Sequence, residues 1–299
     1  MSSIKNVAVA GAAGVLGTAV FKQLSDANKF NLTVLTRLGS SSTFPPGTKV
    51  VQVDYSSLES LTAALQGQDA VVSVVTTLAI PSQDLLIDAA VAAGVKRFLP
   101  SEFGSNLAVP SVRKYPTFGA KVAIEEKLMA LASQGKISYT FVFNSMFLDW
   151  CIDNGIYLDY AKSEVTFYDG GETEFSATNL STIGDAVVGV LSHPDETKDR
   201  NVYVQDTVIS MKKLLDFAKQ LNPSKAWTVK NVSLDDLTAQ ADAKIAQGIF
   251  TEESLLPYLL KAVHGPEATC KFTKLDNELF GIKGVTEEQV KDLIRPHVQ

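Results

Sequence analysis

A short apolar run, Val7-Ala8-Val9-Ala10, leads straight into Gly11-Ala12-Ala13-Gly14-Val15-Leu16-Gly17. Three glycines spaced by three after a strand have separate jobs. Gly11 permits the sharp turn, Gly14 lets backbone approach a ligand closely, and Gly17 lets the next helix pack tightly on a sheet. The amphipathic stretch from Leu16 to Ser25 supplies that helix. Its free N–H groups and partial positive charge suit a phosphate. Gly11, Ala13, Gly14, Val15, Leu16 and Gly17 therefore form a candidate pyrophosphate cradle, and the chemistry indicated is dinucleotide binding.

A second apolar strand, Asn31 to Thr36, ends in Arg37. NAD-binding chains of this pattern place an acid there to hold the ribose 2′-hydroxyl, and an acid repels a 2′-phosphate. Arginine accepts a phosphate through charge-assisted, bidentate hydrogen bonds. Thr36 and Arg37 thus select NADP(H) as the cofactor, with Ser40, Ser41 and Ser42 available as further donors.

These residues need a scaffold that delivers strand ends to one edge. Lys49–Asp54, Ala70–Val75, Val95–Pro100 and Ile137–Phe143 read as strands; Leu58–Leu65, Asp84–Ala93 and Lys121–Ser133 read as helices. Such alternation predicts an α/β fold, a doubly wound parallel sheet of the Rossmann type. Continuous apolar strands such as Ala70–Val75 fit a sheet covered on both faces. The dinucleotide domain is expected over residues 1–150, with a returning segment near 181–207. A smaller, mostly helical substrate domain is expected over 151–299. Ligands bind at the carboxyl ends of such strands. That places Asp54, Tyr55, Thr76, Thr77, Ser101, Glu102, Phe103, Asn144 and Phe147 among the cofactor candidates. Phe103, Met146 and His264 are candidates for substrate contact.

The chain has 299 residues and a net charge of −6. An acidic chain without a basic stripe argues against nucleic-acid or anionic-membrane partners. No apolar run approaches the ~18 residues of a membrane span. Cys151 and Cys270 are too few and too far apart for a disulfide framework or a zinc site, and no residues have metal-ligand spacing. With no secretory leader read at the start, a cytoplasmic location is expected.

The block Pro100-Ser101-Glu102-Phe103-Gly104, joined to the glycine motif, Arg37 and a lysine opening the next helix, resembles the isoflavone reductase-like and NmrA-like group, atypical members of the short-chain dehydrogenase superfamily. Gln83–Gly94, Thr140–Phe147, Asp169-Gly170-Gly171 and Ile183-Gly184-Asp185 extend the resemblance over most of the chain. The resemblance implies an NADPH-dependent reductase of small aromatic or phenolic molecules in which one lysine is the general acid/base. The matching position is Lys121, which would also touch the nicotinamide ribose. The Tyr-x-x-x-Lys pair of ordinary short-chain dehydrogenases is absent, because Thr117 stands where the tyrosine would be and Tyr115 lies six residues before the lysine. Plant reductases commonly carry arginine four residues after the lysine, where this chain has Glu125.

The leading expectation is therefore hydride transfer from nicotinamide to an aromatic small molecule, with Lys121 as general acid/base. Two alternatives stay open on the same scaffold: a redox-sensing regulator that binds NADP(H) without catalysis, and a non-redox isomerase or cyclase. A monomer or a homodimer is expected.

Overall fold

The computed structural model describes residues 3–267 and 269–298. In chain order its elements begin β1 (Asn6–Ala10), α1 (Val15–Asp26), β2 (Asn31–Arg37), β3 (Lys49–Val53), α2 (Leu58–Leu65), β4 (Ala70–Ser73), α3 (Gln83–Ala92) and β5 (Arg97–Leu99). They continue with α4 (Gly119–Ser133), β6 (Ser138–Phe143), β7 (Met146–Phe147), α5 (Leu148–Asp153), β8 (Leu158–Asp159), β9 (Glu164–Tyr168), β10 (Phe175–Thr178), α6 (Leu180–Ser192) and β11 (Arg200–Tyr203). The last are β12 (Thr207–Ile209), α7 (Met211–Leu221), β13 (Thr228–Val232), α8 (Leu234–Ile245), α9 (Glu252–His264), α10 (Asn277–Phe280) and α11 (Glu287–Val298).

The chain divides into two compact units of nearly equal length. The first takes the chain up to Phe103, Ala120–Phe143 and Ser181–Val202. Its seven-stranded sheet has the order β11-β6-β5-β4-β1-β2-β3. Neighbours from β3 through β6 pair parallel. The strand order reverses between β1 and β4, so both central strands aim their carboxyl ends at one crevice. All four residues of β4 are buried, as a sheet covered on both faces demands. Helix α1 packs through Leu16, Val20, Phe21 and Leu24, the 3.6-residue stripe legible in the sequence. Helix α2 starts where Ser57 accepts the Ser60 N–H at 3.2 Å, the N-cap bond that satisfies a donor the helix itself leaves over.

The second unit takes Gly104–Gly119, Asn144–Leu180 and the chain from Tyr203 onward. Two three-stranded sheets accompany its helices, β12-β10-β7 and β13-β9-β8. Strand β13 stands in the part of the chain expected to be mostly helical; it pairs parallel with β9, Val229 opposite Val165. Its core gathers Leu148, Phe175, Leu214, Val290 and Ile294. Among the described residues no helix is long and apolar enough to cross a membrane.

Candidate functional site

Gly11 adopts φ +86°, a conformation that costs glycine nothing and other residues a great deal. A Cβ there would also stand 2.6 Å from the Val74 carbonyl oxygen. The turn is closed by the Gly14 N–H donating to the Gly11 carbonyl at 3.1 Å. Gly14 is the N-cap of α1, and no side chain caps that terminus. The first turn of α1, Val15 to Gly17, thus presents its N–H groups without a side-chain acceptor, the arrangement an anion completes.

A cavity of about 360 Å³ opens over this turn. Gly11, Ala13 and Gly14 line it together with Thr36, Arg37, Tyr55 and Thr76, so the carboxyl ends of β1, β2 and β4 converge on one space. The Thr36 hydroxyl is buried there without a hydrogen-bond partner among the described residues. Burial pushes the Tyr55 phenol up to about 12, against the opposing pull of the Arg37 charge. Ser40 and Ser42 also line the wall, their hydroxyls 3.1 Å apart. The crowded glycines, the uncapped helix and the cationic strand end fit a dinucleotide with a 2′-phosphate. Phe44, Ala79 and Ser82 also line the wall, and no motif in the sequence marks them. Phe44 lies in a Ser- and Pro-rich loop and makes an edge-on contact with Phe21, ring centroids 5.9 Å apart.

Other candidates stand elsewhere. The Asp54 carboxylate accepts from the Ser56 N–H at 2.8 Å and hydroxyl at 2.6 Å, bonds that hold it below the usual carboxylate range and shape the loop before α2. Thr77 opens the short 3₁₀ turn after β4 and is exposed. Ser101 donates its hydroxyl to the Val75 carbonyl and its N–H to Gln83 Oε1, both at 2.8 Å, so it ties β5 to the neighbouring strand and helix. Phe103 is buried. Lys121, in the first turn of α4, donates to the carbonyl oxygen of Glu102, and its Nζ lies 3.9 Å from Glu102 Oε2. Glu125 is buried, 2% exposed, so it stands in a packed and not a solvated setting.

Asn144, Met146, Phe147 and His264 belong to the second unit. Asn144 is buried and donates to the Ser145 carbonyl at 3.0 Å. Met146 and Phe147 form β7 beside β10, with Met146 packed on that unit's core. His264, expected at the substrate, is instead a core residue. It is 2% exposed, stacked on Tyr168 at 5.5 Å and edge-on to Phe175 at 4.9 Å. Burial pushes its pKa down to about 4, so the ring is neutral and spent on packing. Tyr115 likewise packs on Tyr258, ring centroids 5.8 Å apart. No group of His, Cys, Asp and Glu among the described residues could hold a metal ion.

The model of the NmrA-like family matches residues 3–252. The chain belongs to the NmrA-like family. A relative from Penicillium oxalicum, oxidoreductase poxI, is 38% identical over 247 residues, 80% of this chain and 77% of its own. Two solved structures share the architecture of this NmrA-like chain. AtPrR2, solved with NADP+ and (+)-pinoresinol, superposes with a TM-score of 0.79 at 23% identity over 100% of both chains. Leucoanthocyanidin reductase from Vitis vinifera, solved with NADPH, gives 0.78 at 19% identity over 98% of this chain and 99% of that one. At those identities the likeness carries the fold.

Proposed function

We propose that the protein is an NADP(H)-dependent reductase of a small aromatic or phenolic molecule, with Lys121 as the general acid/base. The observation that carries this reading is the shared cavity. A glycine turn built for phosphate and an arginine at the end of β2 line the same space. The fungal relative named as an oxidoreductase supports the reaction class. The neighbours titled with NADP+ and pinoresinol, or with NADPH, support the cofactor and the aromatic substrate.

NADPH, when bound, would supply hydride for a substrate carbon. The chain's own residues do the rest. Gly11, Gly14 and the first turn of α1 would hold the pyrophosphate, and Thr36 and Arg37 the ribose end. Negative charge then builds on the substrate, and the Lys121 ammonium delivers the proton that quenches it. The amine left behind regains its proton from water.

The test follows NADPH consumption with a panel of (+)-pinoresinol, propenylphenols and quinones. Wild-type protein should oxidise NADPH in step with loss of at least one of these compounds. Lys121→Met should lose most turnover while still binding NADPH, weakened by no more than the loss of one ribose contact. Full turnover in Lys121→Met removes the lysine from the chemistry, and failure to bind NADPH sinks the whole reading. A second reading draws on Ile249, Phe250 and Leu256, which leave 42%, 64% and 49% of their surface exposed in the second unit. Exposed apolar side chains near one another suit a protein partner, as a non-catalytic regulator would need. Stoichiometric NADPH oxidation excludes it.

A further inference from the structure

Helices α8 and α9 each turn one stripe to the same space. Leu237, Gln240, Ala241 and Lys244 line it from α8. Glu253, Leu256, Pro257 and Leu260 line it from α9. Both sets follow the i, i+3, i+4, i+7 spacing of a single helical face. Two such faces ordinarily close on one another. Here Ala241 and Pro257, both buried, are too small to fill the gap, and a cavity of about 250 Å³ remains. Tyr168, at the end of β9, adds a further wall. The cavity lies wholly within the second unit and shares no lining residue with the cofactor cavity.

The walls define what fits. Tyr168 stacks on His264, ring centroids 5.5 Å apart, so His264 covers one face of the phenol ring. The cavity receives the other face or the edge, and either suits an aromatic ring. Side-chain carbon of leucine, alanine and proline makes most of the remaining wall. An apolar cavity of ~150 Å³ accepts benzene, so this larger one takes one ring with a short side chain. Charge is already settled: Lys244 Nζ lies 2.6 Å from Glu253 Oε1, an ion pair that joins the two helices beside the cavity. A charged ligand would have to compete with that pair, and a neutral one need not. One polar group also has a place. Pro257 has no N–H, so it gives no helical hydrogen bond to the carbonyl of Glu253, four residues before it. Both residues line the cavity, which puts a backbone acceptor at its wall for a ligand O–H.

We infer that the space between α8 and α9 is a binding site for a small neutral phenol, its ring against Tyr168 and its hydroxyl donating to the Glu253 carbonyl. The site is independent of the proposed reaction, since neither Lys121 nor the cofactor cavity contributes to it.

The test is a ligand-observed NMR titration with 4-propylphenol, a molecule of one ring, one hydroxyl and a short side chain. Wild-type protein should bind it with a Kd of about 1 mM or tighter, as a well-placed ligand of this size allows. Saturating NADP+ should not displace it. 4-Propylanisole has a methyl group in place of the hydroxyl proton and cannot donate, so it should bind at least about tenfold more weakly. Ala241→Phe fills the cavity with a ring of its own and should also weaken 4-propylphenol at least about tenfold. Leu260→Trp fills it from α9 and serves if melting shows that the first variant does not fold. No binding to wild type, displacement by NADP+, equal binding of the ether, or unchanged binding to a folded, filled variant would each overturn the assignment. None of these readouts needs turnover, so loss of this site and failure of the proposed reductase activity are separate results.

Discussion

A Cβ placed on Gly17 would stand 2.0 Å from the carbonyl oxygen of Gly11 and 2.9 Å from the backbone of Ala12. Helix α1 is therefore seated directly on the turn that starts it, with no room for a methyl group. At Gly14 the nearest atom to an added Cβ is 3.5 Å away, an ordinary contact. Residues of the same motif thus answer to different constraints. Gly17→Ala must push backbone apart, and overpacking of that kind should lower Tm by roughly 5–10 °C. Gly14→Ala should melt close to wild type, yet bind NADPH at least about tenfold more weakly, since its methyl occupies the space of the approaching phosphate. Melting curves and NADPH titrations on both variants check this. Equal losses of stability would refute the division of labour.

Arg37 closes β2 and lines the same cavity as the glycine turn. Hydrogen bonds to a charged partner contribute about 1.5–3 kcal/mol, so Arg37→Ala should weaken NADPH by roughly 10- to 150-fold. NADH, which has no 2′-phosphate, should bind the variant as it binds wild type. Fluorescence titration with both cofactors reads the ratio directly, and equal weakening of the two would remove Arg37 from the phosphate site.

The contrast between Arg37 and Glu102 explains what could be read from residues alone. Arg37 is legible because its meaning depends on local order: a strand, its last residue, and a fixed distance from the glycines. The same holds for α1 and α2, whose stripes and caps lie within a few neighbouring residues. Glu102 and Lys121 meet only because the fold sets the end of β5 beside the start of α4, and nothing in their spacing announces it. The burial of His264 is hidden from the sequence for a related reason. Its helix shows which residues are polar, but only the packing of Tyr168 and Phe175 shows that this one is enclosed. Strand β13 leaves no signal in the sequence because four of its five residues are exposed, so it lacks the alternation of a half-buried strand; its pairing with β9 holds it.

The enclosure of His264 makes stability depend on pH. The imidazole sits in the last turn of α9, where the helix dipole would favour a cation by about 1 kcal/mol at most. Burial opposes this and wins, taking the pKa from 6.5 down to about 4. The unfolded chain therefore binds a proton between those values that the folded chain refuses. Stability from this group is complete above pH 6.5 and drains away as pH falls towards 4, by roughly 3 kcal/mol in all. Asp149 works the other way, since burial raises its pKa, so the comparison must be made within one variant pair. His264→Phe keeps an aromatic ring in place and should flatten the slope of urea-derived stability between pH 7 and 4. An unchanged slope would show that the histidine does not titrate in this window.

Arg97, at the first residue of β5, is fully buried in a network of its own. Its guanidinium donates to Ser138 Oγ at 2.7 Å, Thr140 Oγ1 at 2.8 Å, Thr197 Oγ1 at 3.1 Å and the Pro194 carbonyl at 2.6 Å. Burial lowers its pKa to about 10, with Asp199 and Asp195 pulling the other way, so it remains charged at neutral pH. These bonds hold the segment between α6 and β11 against β6. Arg97→Met would take this donor from several buried acceptors and should cost about 3–5 kcal/mol. Arg97→Lys should recover little, because a single ammonium cannot reach partners set around a planar fork. The network lies at the amino end of β5, whereas the cofactor cavity lies at the carboxyl ends of its neighbours. Both variants should therefore bind NADPH normally at temperatures well below their lowered Tm. Melting together with cofactor titration separates the two effects; a loss of NADPH affinity in folded Arg97→Lys would mean that the two ends of the sheet are coupled.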